Sequence, residues 1–397
     1  MAQLLSLADA QRTVLAHVRP LPVDEIRIED ASGRVLAADV HAAVDLPPFP
    51  SSAMDGFAIR AADTPGRLRV AARIAAGRPA EQALRAGEAM AIATGGVVPE
   101  GADAVVPIEL VVDHGNDVEI PDVVDRMDNI RPRGGDVRAG ETVLERGSVV
   151  HAAQVGALAA AGIDRVSCSR RPRVALLTTG TELRRPGEAL GPGQIYESNG
   201  VMLAAALRAV GAEVTRLEPV EDDPDAHRVA LERALNADVV VTSGGVSVGP
   251  HDLVRSTLRD LGVEEIFWGV AVKPGKPLSF GTRGDTLVFG LPGNPVSSLV
   301  GCELFVRPAL LASQAANDPG PHFHVGRLAR AARRNAQRDE LLRARSSTRD
   351  DGVVLEPLGG QDSHMIVRAA AADALVLAPR GDGDLAAGAL VRYLPLA

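Results

Sequence analysis

Lysine is nearly absent from this chain. Of its 42 basic residues only two are lysines, Lys273 and Lys276, and both fall in one pentapeptide, KPGKP. Cysteine is almost as scarce: Cys168 and Cys302 cannot make a disulfide framework and lack the spacing of a metal site, which fits a reducing compartment. Aromatic side chains are few, with one Trp, two Tyr and seven Phe, and Arg and Ala are abundant, as a GC-rich genome produces. Such bias puts Arg wherever Arg will serve, so the two lysines point to a site where a compact ammonium is needed and a planar guanidinium will not do. The plainer reading is chance plus a turn. Excess positive charge is missing too: 42 basic against 51 acidic residues leave a net charge of −9, which argues against a protein that coats nucleic acid or an anionic membrane. The start, MAQLLSLADAQ, lacks the basic and then apolar stretch of a signal peptide, and no run of about 18 apolar residues suggests a membrane span. A cytoplasmic protein with a local anion pocket is expected.

What is present is ample core material: 397 residues, 46% hydrophobic, enough for several domains. Residues 6–19 carry apolar side chains at helical spacing behind a Ser6 cap, and Pro20 and Pro22 end the pattern. LPPFP at 46–50 reads as an extended crossing, and 51–145 as short alternating strands cut by Gly and Pro. HAAQVGALAAAG at 151–162 is a helix with a C-terminal glycine, so the β block reads as an insertion between two pieces of a helical linker. From 173 on, buried-type strands alternate with helices, which implies a parallel, doubly wound sheet, and 295–313 reads as a long helix with Pro295 in its first turn. Past the linker NDPGP, short strands suggest a barrel or sandwich. The expected fold is a multidomain α/β protein. It has a helical linker domain over 1–45 and 146–172, an inserted β-rich domain over 46–145, a central doubly wound α/β domain over 173–316, and a small C-terminal β domain over 317–397.

Ligands of open α/β sheets bind beyond the carboxyl ends of the strands. The loops expected there are TTGTEL, with Thr179, Gly180 and Glu182; EDDP, with Asp222 and Asp223; and TSGGVSVGPHD, with Gly244, Gly245, Ser247 and Asp252. Glycine amides, hydroxyls and helix starts favour an anion, so the set points to a phosphorylated ligand. Carboxylates in the same loops would repel a phosphate unless a cation intervened, which predicts Mg²⁺. Alternatively, the glycines are turns and the aspartates cap helices. KPGKP follows another strand and brings its ammonium groups to the same cleft, and LPGNPVSS turns into a helix whose free N–H groups form a second anion site, or a rigid turn set by its prolines.

These segments, in this order, resemble the molybdopterin molybdenumtransferase family, which includes the C-terminal domain of gephyrin. The resemblance spans nearly the whole chain: SSAMDGFAI, TGG with PEGADAVV, IRPRGGD, TTGTEL, EDDP, TSGGVSVGPHD, KPGKP, GLPGNPVSS and QDSHMI. It implies a homodimer with the active site between subunits. The implied activity is insertion of molybdenum from molybdate into adenylylated molybdopterin, with Mg²⁺, giving molybdenum cofactor and AMP. It also allows the molybdopterin adenylyltransferase and molybdoenzymes as partners. By motif, Gly244, Gly245 and Ser247 would meet the pterin phosphate, while Glu182, Asp222 and Asp252 would hold Mg²⁺ or its waters. Lys273, Lys276 and Ser297 would hold oxyanion or phosphate charge, with Pro292 and Pro295 shaping the loop. Asp55, Thr94, Arg131 and Asp136 would face the partner's cleft. One departure stands out: Trp268 is followed by Gly269, where many members carry a basic residue. Two other readings compete. An adenylyltransferase resembles only the central domain, and a pterin-binding scaffold would bind without turnover; the extra length argues against the first, and the acidic loops with both lysines against the second.

Overall fold

The structure, a computed structural model, describes residues 4–75, 77–219, 223–245 and 253–396. At its centre lies a six-stranded sheet in the order Glu213–Arg216, Arg173–Thr178, Val239–Ser243, Thr286–Leu291, Ser279–Arg283, Glu264–Trp268. The first four strands are parallel. Glu213–Arg216 is an exposed edge strand, whereas the apolar runs of the next three are buried on both faces, and alternation sorts their side chains. Val174, Leu176, Val239 and Val241 join Leu203, Leu207, Phe289 and Leu310 on one face. Ala175, Leu177 and Val240 join Leu231, Val254 and Leu258 on the other. Burial of each such side chain contributes about 1.5–3 kcal/mol.

The expected parallel sheet is extended by two antiparallel pairings at one edge. Ser279–Arg283 returns into Thr286–Leu291 through Gly284 and Asp285, with Gly284 at φ 58°, a connection too short for a crossover helix. Two reversals restore the direction, so Glu264–Trp268 runs the same way as the parallel strands and also ends at the ligand-binding edge. Register places Thr178 beside Ser243, Ser243 beside Leu291, Gly290 beside Ser279, and Ser279 beside Trp268.

The first helix, Leu7–Ala16, is capped by Ser6, whose hydroxyl accepts from the Asp9 amide, and buries Leu7, Ala10 and Val14 in the central core. The long helix Pro295–Ser313 contains a widened π turn at Cys302–Val306. Pro308 follows that turn, and its ring cannot accept a regular turn against the carbonyl four residues back. By length and composition this helix could cross a membrane, but 78% of it is buried within the fold, as a core helix would be.

Around this centre stand three smaller units. The inserted unit is a six-stranded sheet over Phe57, Ile59, Leu68, Val106, Val118 and Ile120. The linker pairs Val23–Arg27 with Arg165–Ser169 and packs the helix Ala152–Ala160 against it. In the C-terminal unit His324–Leu328, Asp339–Arg349, Gly352–Pro357, Ala374–Ala378 and Leu390–Pro395 pair in a closed ring, a small barrel. The two-residue strand Val272–Lys273 from the central domain adds in parallel to the barrel strand Asp339–Arg349.

Candidate active site at the carboxyl edge of the central sheet

Three strand ends meet in one hydrogen-bonded row. Thr179 donates its amide to Ser243 O (3.2 Å), and Gly244 donates to Leu291 O (3.1 Å). Gly244 has φ 97°, and a side chain there would place Cβ 2.8 Å from Thr179 O, so only glycine allows this approach. Gly245, at φ 63°, is equally constrained by Val254. Asn199, at the start of helix Asn199–Ala209, ties the loops together: its Nδ2 donates to Ser243 Oγ (2.9 Å) and to Gly293 O (2.7 Å). Its Oδ1 is buried with no hydrogen-bond partner among the described residues. Ser243 Oγ meets Pro292 O (3.2 Å) and Ser298 Oγ (3.0 Å), which pins the GLPGNPVSS turn.

That turn is met from the barrel. Asn294 Nδ2 donates to Ser363 Oγ (2.8 Å) and the Val296 amide to Ser363 O (3.1 Å), so QDSHMI packs directly on the loop. Arg343 holds QDSHMI in shape: it is buried, and its guanidinium donates to Gln361 Oε1 (3.2 Å), Asp362 O (3.0 Å) and Gly360 O (2.9 Å). Burial pulls its pKa down, opposed by the charge of Asp362.

The KPGKP loop leaves the same edge. Its stem is held by the N-terminal segment, with Leu5 N donating to Gly269 O (3.3 Å) and Ala271 N to Leu5 O (2.8 Å). Gly269 has φ 91°, and a Cβ there would lie 2.6 Å from Leu4 Cδ2. In this chain a basic side chain at 269 would therefore meet both a backbone and a packing obstacle. Lys273 Nζ pairs with Glu340 Oε1 of the barrel at 2.9 Å. Lys276 is exposed, and its ammonium makes no ion pair among the described residues. Ser297 is buried, with its carbonyl beside Gly275.

Of the expected magnesium ligands, Glu182 is described: its exposed carboxylate lies against Gly180, 2.6 Å from where a Cβ would stand. Asp222, Asp252 and Ser247 lie outside the described residues, and among those described no three His, Cys, Asp or Glu side chains gather as a metal cage. Asp223 is the N-cap of helix Pro224–Ala234, its Oδ1 accepting from the Ala226 amide (2.8 Å). An exposed, unpaired carboxylate is the hard oxygen donor that magnesium takes.

In the inserted domain, Asp55 and Thr94 come together: Asp55 Oδ1 accepts from Thr94 N (2.6 Å) and Thr94 Oγ1 (2.8 Å), and these bonds hold the carboxyl below its usual range. Arg131 pairs by backbone with Ser51, beside the same loop, and Asp136 N donates to Leu46 O (2.9 Å). All four residues are exposed. Asn199, Arg343 and Glu340 were not singled out in the sequence. Asn199 stood at a legible helix start after a strand-end loop, whereas Arg343 and Glu340 lie inside a strand with no local signal.

Loop glycines, hydroxyls, an exposed carboxylate and an exposed ammonium lie at the carboxyl edge of the sheet, the edge at which α/β enzymes of this architecture bind their ligands, and a barrel and an inserted β domain flank it. Family models agree along the chain: the MoeA N-terminal region (domain I and II) matches residues 5–162, a probable molybdopterin binding domain 175–312, and the MoeA C-terminal region (domain IV) 325–396. Molybdopterin molybdenumtransferase 2 of Mycobacterium tuberculosis is 41% identical over 333 residues, 80% of this chain and 82% of its own. The Haemophilus influenzae molybdopterin molybdenumtransferase is 32% identical, covering 99% and 98%. A solved MoeA protein structure from Pyrococcus horikoshii has a TM-score of 0.79 at 31% identity, covering 99% of both chains. The chain belongs to the molybdopterin molybdenumtransferase family, enzymes of molybdenum cofactor biosynthesis.

Proposed function

We propose that the protein inserts molybdenum from molybdate into adenylylated molybdopterin with Mg²⁺, forming molybdenum cofactor and releasing AMP. It does so in the cytoplasm as a homodimer whose cleft is shared between subunits. The observation that carries this reading is the row of strand ends joined through Thr179, Ser243, Gly244 and Asn199, with the exposed Lys276 on a loop that leaves the same edge of the sheet.

The amides of Gly180 and Gly245 meet phosphate oxygens, Gly244, whose amide is held by Leu291 O, allows the close backbone approach, and Thr179 adds a hydroxyl. Lys276 neutralises the molybdate oxyanion and the charge that develops as water cleaves the phosphoanhydride, with Ser297 and the Pro292–Pro295 turn fixing its neighbourhood. Glu182, Asp222 and Asp252 are the residues that would hold Mg²⁺, which when bound supplies charge neutralisation at the phosphates. Metal insertion is ligand exchange: dithiolene sulfurs of the substrate replace molybdate oxygens, so no protein thiol is required. Both cysteines suit that role of bystander, since burial pushes the Cys168 thiol up to about 11 and raises Cys302 as well. Asp55, Thr94, Arg131 and Asp136 complete the cleft of the partner subunit, which is consistent with their exposure and with Asp55–Thr94 bonds made wholly inside the inserted domain.

The test is AMP release from adenylylated molybdopterin. Release that requires both molybdate and Mg²⁺ and stops with a chelator is expected; pterin binding without release under those conditions would indicate a scaffold instead.

A further inference from the structure

The long helix Pro295–Ser313 carries no charged side chain other than Glu303 and Arg307. Both line a cavity of about 540 Å³ where the linker, the central domain and the C-terminal barrel meet. The cavity lies apart from the proposed active site: helix Asn199–Ala209 starts at the strand-end edge, and its other end, about 15 Å along the axis, forms part of the cavity wall.

Glu303 sits in the widened turn and is 7% exposed, yet among the described residues its carboxylate accepts a single hydrogen bond, at 3.4 Å, from Arg307. A carboxylate can accept about four. Burial raises the Glu303 carboxyl above its ordinary range, opposed by the charge and hydrogen bond of Arg307. The Arg307 guanidinium makes no other hydrogen bond among the described residues. An acid short of donors thus stands beside a base short of acceptors. Around them Pro308, Pro319, Pro321 and Pro395 supply apolar wall. His151, His322 and His324 stand exposed at the rim, where His322 engages the remaining acid, Asp318, at 3.3 Å.

We propose that this cavity is a second binding site, for a neutral flat heterocycle whose edge sets N–H donors beside a carbonyl, the 2-aminopyrimidin-4-one edge that guanine and pterins share. The N–H groups donate to Glu303 and the carbonyl accepts from Arg307. A cationic ligand is repelled by Arg307 and by any protonated imidazole at the rim, and an anionic one by Glu303. Apolar walls with a few convergent polar groups, in a cavity of this size between domains, are what a small-molecule site consists of.

Calorimetry on the full chain with guanosine, neopterin, inosine and adenosine tests the assignment. Guanosine and neopterin are expected to bind, the tighter of the two naming the source, and inosine, without the 2-amino group, to bind more weakly. Adenosine presents an acceptor where the edge needs a donor and is expected to be weaker than guanosine by roughly tenfold or more. Glu303→Gln should weaken guanosine and neopterin by roughly tenfold with a cooperative melting curve retained. Ala209→Trp, at an exposed position on the wall, should abolish binding by filling the cavity. Equal binding of guanosine and adenosine, or no binding of guanosine and neopterin, would overturn the proposal. So would binding that survives both substitutions, since the ligand then sits elsewhere. Should Glu303→Gln not fold, Ala209→Trp and the adenosine comparison still decide.

Discussion

The two ends of the central sheet carry opposite electrostatic designs. At the amino end, Asp238 accepts from the Arg170 guanidinium (2.9 and 3.0 Å), the Arg173 amide (2.8 Å) and the Arg173 guanidinium (3.1 Å). Burial pushes its carboxyl up, but the arginine and amide hydrogen bonds outweigh this and bring it down to about 2. At the carboxyl end Glu182 and Lys276 are exposed and make no ion pair among the described residues, and the backbone turns through glycines at positive φ, Gly180, Gly244 and Gly245. Charges that satisfy one another hold strands together, while charges left unmatched on a rigid edge are free to meet a ligand. Damage at one end should thus appear as lost activity, and at the other as lost stability.

The largest separation is expected at Lys276. Lys276→Ala should lower molybdate-dependent AMP release by about 100-fold or more while moving Tm little, since the side chain is exposed and makes no ion pair among the described residues. Lys276→Arg keeps the charge yet should still lose about tenfold, because the larger planar fork does not replace a compact ammonium. Wild-type rates in Lys276→Arg would remove the significance given to the two lysines.

A smaller loss is expected at the exposed acid of the inserted domain. Asp55→Asn should cost about 10- to 100-fold in AMP release with a normal melting curve. If the site is shared between subunits, mixing Asp55→Asn with Lys276→Ala chains should recover roughly a quarter of wild-type activity, since half the dimers are mixed and each then has one intact site. No recovery on mixing would place both residues in one chain's cleft.

Stability should respond at the amino end instead. Asp238→Asn is expected to cost about 2 kcal/mol at neutral pH, read by urea unfolding, with AMP release unchanged under folding conditions. The sign follows from the depressed carboxyl. As pH falls, the unfolded chain protonates near its ordinary 3.8 before the folded one at about 2, so this stability is present above about 4 and lost on the way down to 2. The wild-type and variant curves should converge there.

Much of this was legible in the sequence because its causes are local. Apolar runs marked the buried strands, Ser6 marked its helix, and glycines at Gly244 and Gly245 marked turns that a side chain would block. Asp55 and Thr94 each looked like ordinary turn residues. Their partnership arises from the pairing of Gly56 with Ile92, which sets the residue before one strand beside a residue after the other. The Lys273–Glu340 pair was hidden for the same reason, since Glu340 reaches Lys273 only where Val272–Lys273 pairs with the barrel strand. Nor did the apolar pattern distinguish the antiparallel edge from the parallel strands, because the short turn at Gly284 decides the direction.

The central claim is that the unmatched carboxyl edge is where the oxyanion sits, and anomalous diffraction from crystals soaked in tungstate tests it most directly. The account predicts a tungsten peak within contact of the Lys276 ammonium and Ser297, beside the GLPGNPVSS turn. A peak in the cavity next to Lys273 and Glu340, with none at Lys276, would contradict it.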